Sequence, residues 1–456
     1  MTPSHVSRRG GILIQSQDES ALAIARHDFL AYLASLALDA QVESQQEDRG
    51  LRFRLPPNLA QAWAPDFDTG RLSESLRLDP VARIDDLERE ILVAMLLGPV
   101  AFVFPSAAEV ISAVHVRRNI VQAARRTALD FHTTEAERPA DYWTYVEDKG
   151  FTLLPGRSLI EGLVKATQPD ASGQLYAFSC YRATEYVILL ALAQELAISN
   201  PALLRRLQRQ WEKRPIMSGQ FHDVFLHEYG AMETPLPPKY YVPGDRLWFR
   251  NPDERSADVT GYEGSWVFYL GGGLFSNFWK RDQPFSLTTK CLEIYHWRHG
   301  VYVDGQGEPQ MDERLVEARV RASLNDPAEV AHILQRMLRL RDPRGVYQEG
   351  GCIDTSREYP RCIHPATADI RLPEQSCQPW KNSCACCVPA PTSGPPSASA
   401  CRSLRPATMR RRPTPCPRRF ATSARWNDSP GLKPTWPLIW ASTPGNSVAA
   451  RPGPYW

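Results

Sequence analysis

One apolar segment restricts this chain more than any other feature. From Cys180 to Ser199 the sequence runs through Thr184, Tyr186, Val187, Leu190, Ala191 and Ala193, with charges only at Arg182, Glu185 and Glu195. Such a run is too long for a single strand of about four to eight residues, and a helix that is apolar on every side has to be buried. Turn formers Pro169, Ser172 and Gly173 precede it. Asn200-Pro201 ends it, because the residue before a proline disfavours the helical region. The spacing therefore predicts a buried helix that begins at Cys180 and stops near Ser199, around which other elements must assemble.

The 456 residues have room for two to four domains at roughly 100–200 residues each. No run approaches the roughly 18 uncharged apolar residues of a membrane span. Arg8 and Arg9 are followed only by Ile12-Leu13-Ile14 before polar residues return, so no signal-peptide core is read there and the expected compartment is the cytoplasm. The net charge of +2 conceals two compositions: residues 377–456 hold eleven Lys/Arg against the single acid Asp428, which leaves forty-two basic and fifty acidic residues before Cys377. The body is acidic, so neither a nucleic acid nor a membrane partner is expected of it. Of ten cysteines only Cys180 and Cys291 precede residue 350, which suits a reducing compartment.

Composition and periodicity divide the chain into three regions. Residues 1–105 read as a mainly helical N-terminal region, with helices over Glu19–Leu38 and Asp85–Leu97 and a short extended piece at Arg52–Arg54. Residues 106–345 carry the chemistry. Ser106 is the expected N-cap of a helix whose Arg117, Arg118, Arg125 and Arg126 read as a solvated face, and residues 310–341 read as further helix packed on this domain. Residues 346–456 read as a Pro/Arg/Cys-rich tail that is disordered: fifteen prolines fall after residue 376, with almost no apolar periodicity.

Cys180 at a helix start is chemically suggestive, since the positive end of the helix dipole favours the thiolate, the nucleophilic form of sulfur. A small buried core residue would look the same. The downstream residues favour chemistry. Arg246–Phe249, Ser265–Leu270 and Leu274–Trp279 read as strands, the last two around Gly271-Gly-Gly273. A nucleophile helix succeeded by an antiparallel sheet is the order of papain-like and NlpC/P60-like α+β hydrolases, in which the sheet supplies the thiol's polar partners.

Here the sequence resembles the bacterial protein-glutamine gamma-glutamyltransferases of spore-forming bacilli, whose cysteine lies in a Tyr-Ala-Phe-Glu-Cys context. Tyr176-Ala-Phe-Ser-Cys180 matches four of the five positions. Arg117-x-Asn-Ile-Val121, Trp143 with Gly150-Phe151, Pro243-Gly-Asp245, Asn251-Pro-Asp253, Gly264 and Leu270-Gly271 continue the likeness in order, over residues 107–303. The resemblance implies an acyltransferase in which Cys180 attacks a protein glutamine and holds a thioester that a lysine or other primary amine resolves. It implies no cofactor and no calcium.

Three polar residues of that family are replaced. Ser179 stands for the acid before the cysteine, Ser265 for a sheet glutamate and Phe278 for a downstream histidine. Glu263, two residues before Ser265 and on the same strand face by the period of two, is the replacement base. Asn277, beside Phe278, is the candidate orienting group if a bulge turns it inward. His222 next to Asp223 and His227 are further candidates, His296 and His299 read as one solvated helix end, Cys291 as structural, and Trp143, Trp248, Trp266 and Trp279 as core or as lining of a donor groove. Two other functions compete: a thiol amidase, peptidase or deamidase of NlpC/P60 type, and a binding module that has lost its base.

Overall fold

The computed structural model describes residues 10–372 apart from 17, 49, 132–135, 147–149, 217 and 343–349. Residues 373–456, and with them most of the expected tail, lie outside the described residues. The chain divides into two units, Met1–Gln378 and Pro379–Trp456, and every described residue belongs to the first. The fold is α+β.

The first sheet is assembled from short strands that local periodicity underweights. β1 (Gly11–Gln15) runs antiparallel to β3 (Gly50–Arg54) and parallel to β4 (Ala101–Phe104), while β2 (Glu43–Glu47) pairs with β3, giving the order β2-β3-β1-β4. Between them lie α1 (Glu19–Ser35) and α2 (Ile84–Leu96), close to the expected helices. The N-terminal region keeps its helices but adds a four-stranded sheet, of which the sequence showed only the Arg52–Arg54 piece. The correction has a simple cause: Ile12 and Ile14 occupy a central strand buried on both sides, where no alternation is visible.

α3 (Ala107–Arg126) starts where Ser106 accepts the Glu109 N–H at 3.2 Å. α4 (Cys180–Ser199) starts where extended Ser179 accepts the Arg182 N–H at 3.3 Å, and ends at Asn200. Every residue from Ala183 to Ala193 is buried, as a helix apolar all round requires. It packs closely on α3.

The second sheet comprises β5 (Leu226–Tyr229), β6 (Arg246–Arg250), β7 (Gly264–Gly271), β8 (Leu274–Phe275), β9 (Phe285–Ser286) and β10 (Arg357–Pro360) in the spatial order β9-β8-β7-β6-β10-β5, antiparallel at every pairing. Its period of two divides the core. Phe268 and Leu270 belong to the cluster shared with α3 and α4, whereas Leu247, Phe249, Val267 and Tyr269 face α6 (Leu287–Gly300), α7 (Glu313–Leu324) and α8 (Pro327–Met337). The first cluster runs from Ile12 to Ile370, so packing does not break at 105. Nor does the tail begin at 346: Cys352, Ile353, Tyr359 and Ile363 are buried, and β10 lies inside the sheet.

The expected solvated arginine face is also corrected. Arg117 is fully buried and donates to Asp245 at 2.8 Å, Arg118 donates to Glu88 at 2.7 Å, and Arg125 to the carbonyls of Pro80 and Leu270, so only Arg126 is exposed. The counter-charge comes from Pro243-Gly-Asp245. Gly244 is required there, with φ +87° and a Cβ position 2.8 Å from the Arg117 Cα. Among the described residues no helix is long and apolar enough to cross a membrane.

Candidate active site

Cys180 is half-buried at the first position of α4, which packs against β7. The backbone N–H groups of Trp266, on β7, and of Tyr181 lie close enough to the sulfur to favour its charged form. Trp266 is directly opposite Trp248 of β6, with the rings stacked at 6.2 Å, and Tyr181 meets Trp266 edge-on at 5.2 Å. These aromatics fix the backbone that faces the sulfur.

Two charges act on Cys180. Lys290 on α6 is only 3% exposed, its ammonium 2.6 Å from Glu293 and 4.1 Å from the centre of the Phe285 ring, and it favours the thiolate. Glu263 opposes it. It is exposed, one residue before β7, and its carbonyl accepts the Asn251 N–H at 3.0 Å. Burial outweighs the two N–H groups and Lys290 together, and pushes the Cys180 thiol above its ordinary value.

The structure does not bring Asn277 into this group. The strand expected to reach Trp279 ends at Phe275, and although the β7–β8 pairing does shift register between Tyr269 and Gly271, Asn277 lies beyond it in a turn. Its amide donates to the Gln283 carbonyl at 2.9 Å and its oxygen accepts the Lys280 N–H at 3.1 Å. Both ends of the side chain hold that turn, so neither is turned toward Cys180 as an orienting group.

His222, on α5 (Ser218–Phe225), pairs with Glu358 of β10 at 2.6 Å rather than with Asp223. The other Glu358 oxygen accepts from Arg246 Nε, and the guanidinium carbon of Arg246 lies 5.0 Å from the Tyr181 ring centre and 4.8 Å from that of Trp266. Although burial opposes it, this pairing pulls the Glu358 carboxyl down to about 2, and the bond to Glu358 raises His222. His227 is taken up by Asp369 at 2.8 Å. His296 is not solvated: it is 2% exposed, bonded to Ser323 Oγ at 2.7 Å and to His299 at 3.0 Å, and burial lowers it to about 4. Trp143 is core, whereas Trp266 has its backbone N–H beside the sulfur and Trp248 stacks on Trp266. Cys291 is fully buried, 3.6 Å from the Cys352 sulfur.

Sequence reading missed Lys290, Arg246 and Glu358. Lys290 had a signal: it precedes Ile294 by four and Trp297 by seven residues, which puts a lysine on an apolar helix face. Glu358 had none in a segment read as tail. Among the described residues no group of three or more His, Cys, Asp or Glu side chains is arranged to hold a metal ion.

A cysteine on a buried helix, facing an antiparallel sheet with a buried ammonium and a carboxylate bearing on it, defines a cysteine-dependent acyl-transfer class of site. The family model for protein-glutamine gamma-glutamyltransferase matches residues 71–359, more than half of the sequence, and the chain belongs to that family. Two solved chains match; one is a transglutaminase from Geobacillus stearothermophilus without its C-terminal extension, 18% identical, with a TM-score of 0.33 over 46% of this chain and 96% of that one. No curated protein matches.

Proposed function

We propose that this protein transfers the γ-glutamyl group of a protein-bound glutamine to a primary amine such as a lysine side chain, through a thioester on Cys180. The sulfur attacks the carboxamide carbon, the carbon–nitrogen bond breaks, and the thiol proton leaves on ammonia. The amine then attacks the thioester, an isopeptide bond forms, and the amine proton returns to the sulfur. Lys290 favours the thiolate during attack and again when sulfur is the leaving group. Glu263 is the group that passes these protons, being the carboxylate whose charge bears on the sulfur.

The observation that carries this reading is Cys180 at a helix start with the Trp266 and Tyr181 N–H groups beside its sulfur, within a chain of this family. The test is incubation with a labelled primary amine and a glutamine-rich protein. Incorporation that disappears when Cys180 is alkylated supports it. Ammonia release without incorporation would indicate water as acceptor, hence a deamidase.

A further inference from the structure

The Arg246–Glu358–His222 chain takes no part in the steps above, yet it ends on the two residues that face the sulfur. Arg246 and Glu358 are 1% and 9% exposed, so their charges are held by each other. Arg246 lies beside both the Tyr181 and Trp266 rings, which also meet each other, and its Nη1 reaches Thr184 Oγ1 at 3.5 Å, one turn along α4 from Cys180. His222 forms the outer end, with its side chain 37% exposed. An imidazole in this position can exchange its proton with water while the residues it bears on cannot.

We propose that His222, Glu358 and Arg246 are positioning residues that set Tyr181 and Trp266 against the Cys180 sulfur, so that the reactivity of the thiol tracks the protonation of an imidazole that does not touch it. The inference rests on Cys180 being the nucleophile. His222 Nδ1 donates to Glu358 whether the ring is neutral or charged, so titration leaves the bond in place and changes its charge. With the ring charged, Glu358 is shared between two cations and the Arg246 charge beside Tyr181 and Trp266 is less neutralised. With the ring neutral, Glu358 answers Arg246 alone. The groups facing His222 are Glu358 on β10, Arg246 on β6 and Glu228 on β5, with Asp223 on its own helix. On α4 the neighbouring charges are those of the Arg182–Glu185 pair, 2.7 Å apart.

The test is peptide-resolved alkylation of Cys180 by iodoacetamide from about pH 5 to 11, a range that passes the raised ionisation of the sulfur, in wild type, His222→Gln and Glu358→Gln, with circular dichroism on each. The wild-type rate should show two ionisations, the sulfur's own and one above the ordinary imidazole value. His222→Gln should retain only the first. Glu358→Gln should also retain only the first and lower the plateau about tenfold, within the range for residues of one hydrogen-bond network. If Glu358→Gln fails to fold, His222→Gln decides alone, since a half-exposed side chain tolerates the change. A His222→Gln profile that superimposes on wild type overturns the proposal. Alkylation requires no acyl transfer, so a wild type with both ionisations but no amine incorporation would defeat the transferase reading and leave this one standing.

Discussion

The Trp266 backbone N–H lies against the Cys180 sulfur, so the start of α4 and the sheet meet at this thiol. The strand residue is held in turn by Trp248 opposite it and by Tyr181 edge-on, one residue beyond the cysteine. The first consequence concerns the sulfur. Cys180→Ala should abolish amine incorporation and shift the melting temperature little, because Ser179 still caps the helix and a small side chain replaces another at a half-buried position. Incorporation at the wild-type rate would place the nucleophile elsewhere.

Lys290→Met should raise the pH at which Cys180 ionises and slow alkylation near neutrality, because a buried cation that favours the thiolate is exchanged for an apolar chain of similar length. Lys290→Arg should preserve part of the effect. The pH profile of alkylation distinguishes this from a packing defect, which would change thermal stability without moving the ionisation.

How much of this site was legible depends on where its residues stand in the chain. Cys180 and its helix were readable because the relevant signals lie within about thirty residues of sequence: the turn formers Pro169, Ser172 and Gly173 before, an apolar run within, Asn200-Pro201 after; the Ser179 cap was not read. Arg117 was misread because the charge that buries it, Asp245, is 128 positions away. Glu358 was missed for the same reason, since the partners that give it a role, Arg246 and His222, are brought to it only by the sheet order. Asn277 failed for a local reason: the strand ends two residues before it, and its side chain satisfies a turn.

Glu263 bears on Cys180 in two opposed ways, as a proposed proton acceptor and as a negative charge. A carboxylate lost from the general-base position would be expected to leave less thiolate, but the Glu263 charge disfavours the Cys180 thiolate. Glu263→Gln should therefore lower amine incorporation about 10²-fold, as removal of a proton-transfer group does, while alkylation of Cys180 at pH 7 becomes faster rather than slower. Loss of both rates together would mean that Glu263 holds the site's shape and passes no proton.

The last prediction concerns Glu90 on α2, which is fully buried against the turn between β7 and β8. Its two oxygens accept the Gly272 N–H at 2.9 and 3.1 Å, and one accepts the Tyr269 hydroxyl at 3.1 Å. These donors and the charge of Arg125 favour the carboxylate, but burial outweighs them and raises the group from 4.5 to about 7. The folded state then keeps a proton that the unfolded state gives up. Stability from this group is complete below the unfolded value of 4.5, declines as pH rises, and is lost above about 7. Each unit between those limits corresponds to about 1.4 kcal/mol, so the whole effect is of the order of a few kcal/mol. Glu90→Gln keeps an oxygen for the Gly272 N–H and has no proton to lose. Denaturant midpoints measured for both proteins from pH 4.5 to pH 8 should therefore converge at the acid end and separate toward neutrality, with the variant gaining on wild type. Parallel curves would show that Glu90 is ionised in the folded protein throughout, and that the turn's N–H groups, not burial, decide its state.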